Sequence, residues 1–102
     1  MTLKITVIYD NPADPAAFET GYLDQVSLAQ KLPGIQQLQS AKVAPKEDGS
    51  STPAYRLLDL YFADYDAASA AVTTEEAGAF FQSVFTLATG GVRIVFAGVE
   101  EI

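Results

Sequence analysis

The chain of 102 residues contains no histidine, no cysteine and no tryptophan, and only 6 Lys+Arg against 13 Asp+Glu, a formal charge of −7. Each shortage excludes a chemistry. Without His and Cys there is no Ser-His-Asp triad, no thiolate nucleophile, no zinc finger and no histidine-ligated haem. Six basic residues scattered from Lys4 to Arg93 do not make the cationic patch that neutralises phosphates, so nucleic acid is not an expected partner. No run approaches the roughly 20 apolar residues that span a bilayer, so no membrane is expected either. The N-terminus carries no signal-peptide pattern, and zero cysteines suit a reducing compartment, which together lead to the expectation of a cytoplasmic protein. The length suits one domain over 1–102, with chain enough for one core and not two.

What is there is ordered by periodicity. Leu3-Lys4-Ile5-Thr6-Val7-Ile8-Tyr9 alternates and is rich in β-branched residues, which predicts a strand. Asp14-Pro15 then opens a helix, Asp14 as N-cap and Pro15 where a missing N–H costs nothing. The helix is expected to run to about Leu32, with Phe18, Tyr22, Val26 and Ala29 as its buried stripe. Pro33-Gly34 stops it. Ile35–Val43, with its many polar positions, reads as a half-exposed strand, and residues 44–53 as an exposed loop dense in turn formers. Tyr55–Phe62 is apolar on both faces around Asp59 and predicts a strand with two neighbours. Asp64 or Asp66 caps a short alanine-rich helix through Val72, and Thr74 with Glu75 and Glu76 starts another through about Leu87. Gly90-Gly91 turns the chain into a last strand, Val92–Val99, again apolar on both faces.

The order strand, helix, strand, strand, helix, strand predicts an α+β ferredoxin-like βαββαβ fold, with both helical segments on one face of a four-stranded antiparallel sheet. The other face would carry Thr6, Ile8, Tyr55, Leu57, Asp59, Tyr61, Arg93, Val95 and Ala97, too apolar to stand wholly in water. Two copies pairing these faces would form a homodimeric α+β barrel.

With the segments in place, the chain resembles the EthD family, whose members adopt the dimeric α+β barrel. The resemblance spans Asn11-Pro12-Ala13-Asp14-Pro15-Ala16-Ala17-Phe18, Lys31-Leu32-Pro33-Gly34-Ile35 and Phe85-Thr86-Leu87-Ala88-Thr89-Gly90-Gly91-Val92. The family's helix-1 signature is an aromatic pair followed by His-x-Pro-Leu. Here Leu28 matches the Leu, Ser27 replaces the Pro, and Gln25 stands at the His position. Tyr22 is the one tyrosine near the aromatic pair. A glutamine donates and accepts hydrogen bonds but carries no proton at neutral pH, so histidine-dependent chemistry does not transfer.

The resemblance implies a small hydrophobic or aromatic molecule held in a barrel cavity, with Tyr22, Gln25 and Tyr61 as candidate substrate-binding residues and Asp59 as the candidate catalytic proton carrier. Each has a plainer structural reading. Tyr22 and Phe18, four apart, can simply pack; Gln25 can be an ordinary polar helix position; Asp59 can be an ion pair with Lys4 or Arg93. Neither a metal nor another cofactor is expected, since Asp10, Asp14, Asp64 and Asp66 match no calcium loop and Gly90-Gly91 no phosphate loop. Two functions of different class follow: a cofactor-independent oxidoreductase, or a non-catalytic ligand-binding or accessory protein.

Overall fold

The computed structural model describes residues 1–102. It has seven elements: β1 (Leu3–Tyr9), α1 (Pro15–Ala29), β2 (Gln37–Lys42), β3 (Arg56–Phe62), α2 (Tyr65–Ala71), α3 (Glu75–Leu87) and β4 (Val92–Gly98). The strands form one antiparallel sheet in the order β2-β3-β1-β4. This is the expected ferredoxin-like arrangement. β1 and β3 are central, with both sides of their backbones paired, whereas β4, also apolar on both faces, stands at an edge.

The helix starts form where their caps are. The Asp14 carboxylate accepts from the backbone N–H groups of Ala16 and Ala17, with Pro15 as the first helical residue. Asp64, not Asp66, caps α2 through Ala67 N–H, and Thr74 caps α3 through Ala77 N–H. Helix α1 ends at Ala29, earlier than its apolar pattern suggests, because Lys31 and Leu32 donate to carbonyls three residues back and tighten the chain ahead of Pro33-Gly34. Leu32 still reaches the core.

Register divides the sheet into two faces. Leu3, Ile5, Val7 and Tyr9 of β1 lie beside Leu58, Leu60 and Phe62 of β3 and beneath the helices, where Phe18, Tyr22, Ala29, Ala68, Ala71, Ala77, Phe80 and Val84 complete the core. The bare face carries Lys4, Thr6 and Ile8 beside Leu57, Asp59 and Tyr61, flanked by Gln37, Gln39 and Ala41 on β2 and Arg93, Val95 and Ala97 on β4.

Two side chains depart from simple alternation. Tyr55 was expected on the bare face, but it precedes the regular strand and its ring packs edge-on against Phe18, 5.2 Å between centroids, with its hydroxyl donating to Glu19. The buried stripe of α1 runs Phe18, Tyr22, Gln25 and Ala29, so Gln25 takes the inward place expected of Val26, which is only partly buried. Gly21, a costly residue in mid-helix, sits where α1 meets α3: an added Cβ would lie 2.6 Å from the Leu87 Cδ1.

Candidate functional site

The four candidate residues fall on opposite faces of the sheet. Tyr22 and Gln25 belong to the helix-covered side, whereas Asp59 and Tyr61 belong to the bare side. One chain therefore does not bring them together.

On the bare side, Asp59 accepts a hydrogen bond from the Thr6 hydroxyl across the β1–β3 pair, and the Lys4 ammonium lies 3.6 Å from the same carboxylate oxygen. Lys4 supplies the expected ion pair; Arg93 instead pairs with Asp10 at 3.1 Å, at the end of the sheet. The Tyr61 hydroxyl donates to the Gln39 Oε1 at 2.7 Å. Both groups have protein partners.

The helix-covered side is richer. Tyr22 faces β2 and β3, its hydroxyl 2.7 Å from the Ser40 Oγ, and the Arg56 guanidinium stacks 4.4 Å above its ring. Arg56 donates through Nε (3.2 Å) and Nη2 (2.7 Å) to the two oxygens of Glu19, and through Nη1 to Ser40 (3.1 Å). The Tyr55 hydroxyl adds a third donor to Glu19 at 3.1 Å. Those hydrogen bonds, Arg56's first, hold the Glu19 carboxyl below its ordinary range and raise the guanidinium's basicity in turn. Burial outweighs the Ser40 and Arg56 contacts at Tyr22 and pushes its phenol up.

Behind Tyr22 the aromatic rings continue inward. Tyr9 meets Phe18 at 5.0 Å and Tyr22 at 6.2 Å, both edge-on, and donates its hydroxyl to the Gln25 Oε1. Burial raises the Tyr9 phenol strongly, so it stays protonated throughout the neutral range. Gln25 is 0% exposed and its Nε2 has no hydrogen-bond partner.

The outer part of this group borders a cleft of about 600 Å³ between α1 and the β2–β3 edge, lined by Glu19, Tyr22, Leu23, Val26, Ser27, Gln30, Ser40 and Arg56. Its α1 wall offers apolar Leu23 and Val26, and its sheet wall offers Ser40 and the guanidinium. A depression of about 770 Å³ at the chain termini, lined by Met1, Thr2, Ala63 and Val99 to Ile102, has no comparable polar arrangement. Of the sequence candidates, Tyr22 lines this cleft and Gln25 does not; Glu19, Ser40 and Arg56, which meet Tyr22 here, were not among the candidates. A readable signal existed: Arg56 shares its parity with Leu58, Leu60 and Phe62, which places a lone cation on the helix side of an apolar strand.

No protein-family model matches the chain. An uncharacterised 11.0 kDa protein of the thcB-thcC intergenic region of Rhodococcus erythropolis is 33% identical over 100 residues, covering 97% of this chain and 96% of that one. The chain belongs to the same family as that protein. Among solved structures, an EthD family protein of Bacillus halodurans superimposes with a TM-score of 0.90 at 21% identity, covering 98% of this chain and all of that one. The EthD resemblance of the sequence is thus borne out in the fold. A dimeric ferredoxin-like protein of unknown function from a Jannaschia species matches at 0.71 and 16% identity, over 97% and 100% of the two chains. SnoaB of Streptomyces nogalater, a cofactor-independent oxygenase, matches at 0.66 and 14% identity, over 99% and 94%. No helix of this EthD-fold chain is long and apolar enough to cross a membrane.

Proposed function

We propose that this EthD-fold protein is a homodimeric binder of a small aromatic or hydrophobic molecule, held in the cleft between α1 and the β2–β3 edge. The observation that carries the reading is the amphipathic cleft itself. An apolar wall of Leu23 and Val26 faces Tyr22, Ser40 and a guanidinium whose orientation Glu19 fixes. Pockets that hold small molecules combine such apolar surface with a few fixed polar groups. Of the five N–H groups of Arg56, three are used within the protein, leaving donors for a ligand oxygen.

The dimer rests on the bare face of the sheet, where Ile8, Leu57, Tyr61, Val95 and Ala97 form an apolar surface around the Thr6–Asp59–Lys4 group. The dimeric Jannaschia protein of the same fold supports it. Asp59 is then a polar anchor within the subunit contact. Native mass spectrometry of freshly purified protein tests both parts: a dimer mass with bound aromatic molecules is expected, and a ligand-free monomer overturns the reading.

A second reading, oxidation of the bound molecule by dioxygen without a cofactor, draws on the shared fold of SnoaB and on Glu19, whose carboxylate holds the Arg56 guanidinium in place beside the cleft. Oxygen uptake with simple phenols and quinols separates the two. Uptake that disappears in Glu19→Gln supports catalysis; absence of uptake with retained binding leaves the binder.

A further inference from the structure

Strand register sets two cations side by side at the cleft. Lys42 of β2 and Arg56 of β3 are Cα partners on the helix side of the sheet, an arrangement of like charges that repels. One acid answers them. Glu19 pairs with Arg56 at 2.7 Å, while the Lys42 ammonium, 5.4 Å from the centre of the Tyr55 ring, joins no ion pair. The Arg56 hydrogen bond first, and the Lys42 charge as well, hold the Glu19 carboxyl below its ordinary range, so both cations act at that carboxylate. Two cations against one acid leave a single positive charge over, in a chain whose formal charge is −7. Hydrogen-bond donors are left over too. Nη1 and Nη2 of Arg56 carry two N–H groups each, of which Ser40 and Glu19 take one apiece. Ser40 and Tyr22 own two hydroxyl protons and share one hydrogen bond, so one O–H stays uncommitted whichever of them donates.

We propose that the cleft takes an aromatic monocarboxylate, its carboxylate seated on the Arg56 Nη1 and Nη2 beside Ser40 and its ring against Leu23 and Val26. The proposal rests on the cleft-binding reading and adds the ligand's chemical class. Charge and donor count decide that class. One negative charge balances the cation left over, which a neutral carbonyl does not do. The uncommitted donors, two N–H and one O–H, match the two oxygens of a carboxylate, and hydrogen bonds to an ionised acceptor are about twice as strong as neutral ones. An ammonium group would meet donors and a like charge. No side chain has to move: Leu23, Val26, Ser40 and Arg56 already line the cleft, and Tyr22 stays held by Ser40, the guanidinium and Phe18. Lys42 stands outside the cleft wall and contributes through its charge alone.

The test titrates three probes into isotope-labelled protein at neutral pH: phenylacetate, its uncharged counterpart phenylacetamide, and ethylbenzene. NMR follows the Leu23 and Val26 methyl groups and the Arg56 guanidinium protons. Phenylacetate is expected to move all of them and to bind about tenfold more tightly than either neutral probe. Its preference over ethylbenzene should fall about tenfold in Arg56→Gln, and about threefold in Lys42→Gln, which removes the second charge from an exposed side chain. Neutral probes that bind as tightly as phenylacetate overturn the carboxylate and leave the cleft reading standing. So does a preference for phenylacetate that survives both substitutions. If no probe moves the Leu23 and Val26 methyls, the cleft reading fails and this inference with it. Should Arg56→Gln not fold, Lys42→Gln decides alone, an unchanged preference there overturning the charge argument.

Discussion

The two faces of the sheet are made from the same four strands and carry different kinds of polar group. On the bare face, polarity is settled locally: Asp59 meets Thr6 and Lys4, and Tyr61 meets Gln39, each partner on an adjacent strand. On the helix-covered face, polarity is assembled over distance: Glu19 of α1, Ser40 of β2 and Arg56 of β3 converge on Tyr22, and Gln25 is left with a free donor inside the core. A face whose polar groups satisfy each other in register suits a subunit contact, while one that spends buried polar groups without pairing them all suits a ligand.

The largest expected effect that separates the faces is on stability. Phe80→Ala, removing a ring with no exposure beneath α3, should cost about 3–5 kcal/mol in chemical denaturation. Leu57→Ala on the bare face should cost less than half of that, measured on the dissociated chain at low concentration; equal losses would mean that the bare face is as tightly packed as the core. Leu57→Glu should leave the circular dichroism spectrum intact and convert the dimer to a monomer in light scattering, because a carboxylate would be buried unpaired against its own copy.

Tyr9→Phe comes next. It leaves Gln25 Oε1 buried without a donor and should cost about 1–3 kcal/mol at pH 7. Its pH dependence has a definite sign. The folded-state phenol lies above its unfolded value, so its contribution is full below about pH 10 and is lost as pH rises toward the folded value. The wild type should therefore weaken in alkali more steeply than Tyr9→Phe, as followed by thermal melts from pH 8 to 11.

Smaller still, Asp59→Asn should cost about 1 kcal/mol or less, since Thr6 keeps a partner and only the partly exposed Lys4 pair is lost. Glu19→Gln should have the smallest effect on stability. The Glu19 carboxyl is depressed in the folded state, so its stabilisation is present above the ordinary glutamate range and is lost as pH falls through the folded value. Wild type and Glu19→Gln should differ slightly at pH 7 and converge in strong acid. A difference that persists unchanged in acid would show that Arg56 orients through packing alone.

Much of the fold was legible along the chain. The caps Asp14 and Thr74, the Pro33-Gly34 stop and the two doubly apolar strands depend on neighbours within a few residues, and each reappears in place. Boundaries slipped where the signal was weak: β2 is shorter than the polar stretch suggested, and α1 gives up its last turn to tighter hydrogen bonds. The site was legible only in part. Tyr22 and Gln25 stood out by their place in helix 1, and Asp59 by being a lone acid in an apolar strand, yet no spacing in the sequence says that the first two face one side of the sheet and Asp59 the other. The end of a strand, where Tyr55 turns to meet Phe18, also escapes a period-two rule.

By itself, then, the sequence determined the kind of elements and their order, because periodicity, caps and glycine turns act over a few residues. Its absences also settled which chemistries are out of reach, since no fold supplies an imidazole or thiol that the chain lacks. Tertiary structure alone decided that Glu19, Ser40 and Arg56 meet at Tyr22, and that Gln25 rather than Val26 points inward with a donor to spare. Those facts depend on how α1 is rotated against the sheet, which is set by the packing of Gly21 on Leu87 and of Phe18 among Tyr9 and Tyr55, contacts between residues far apart in the chain.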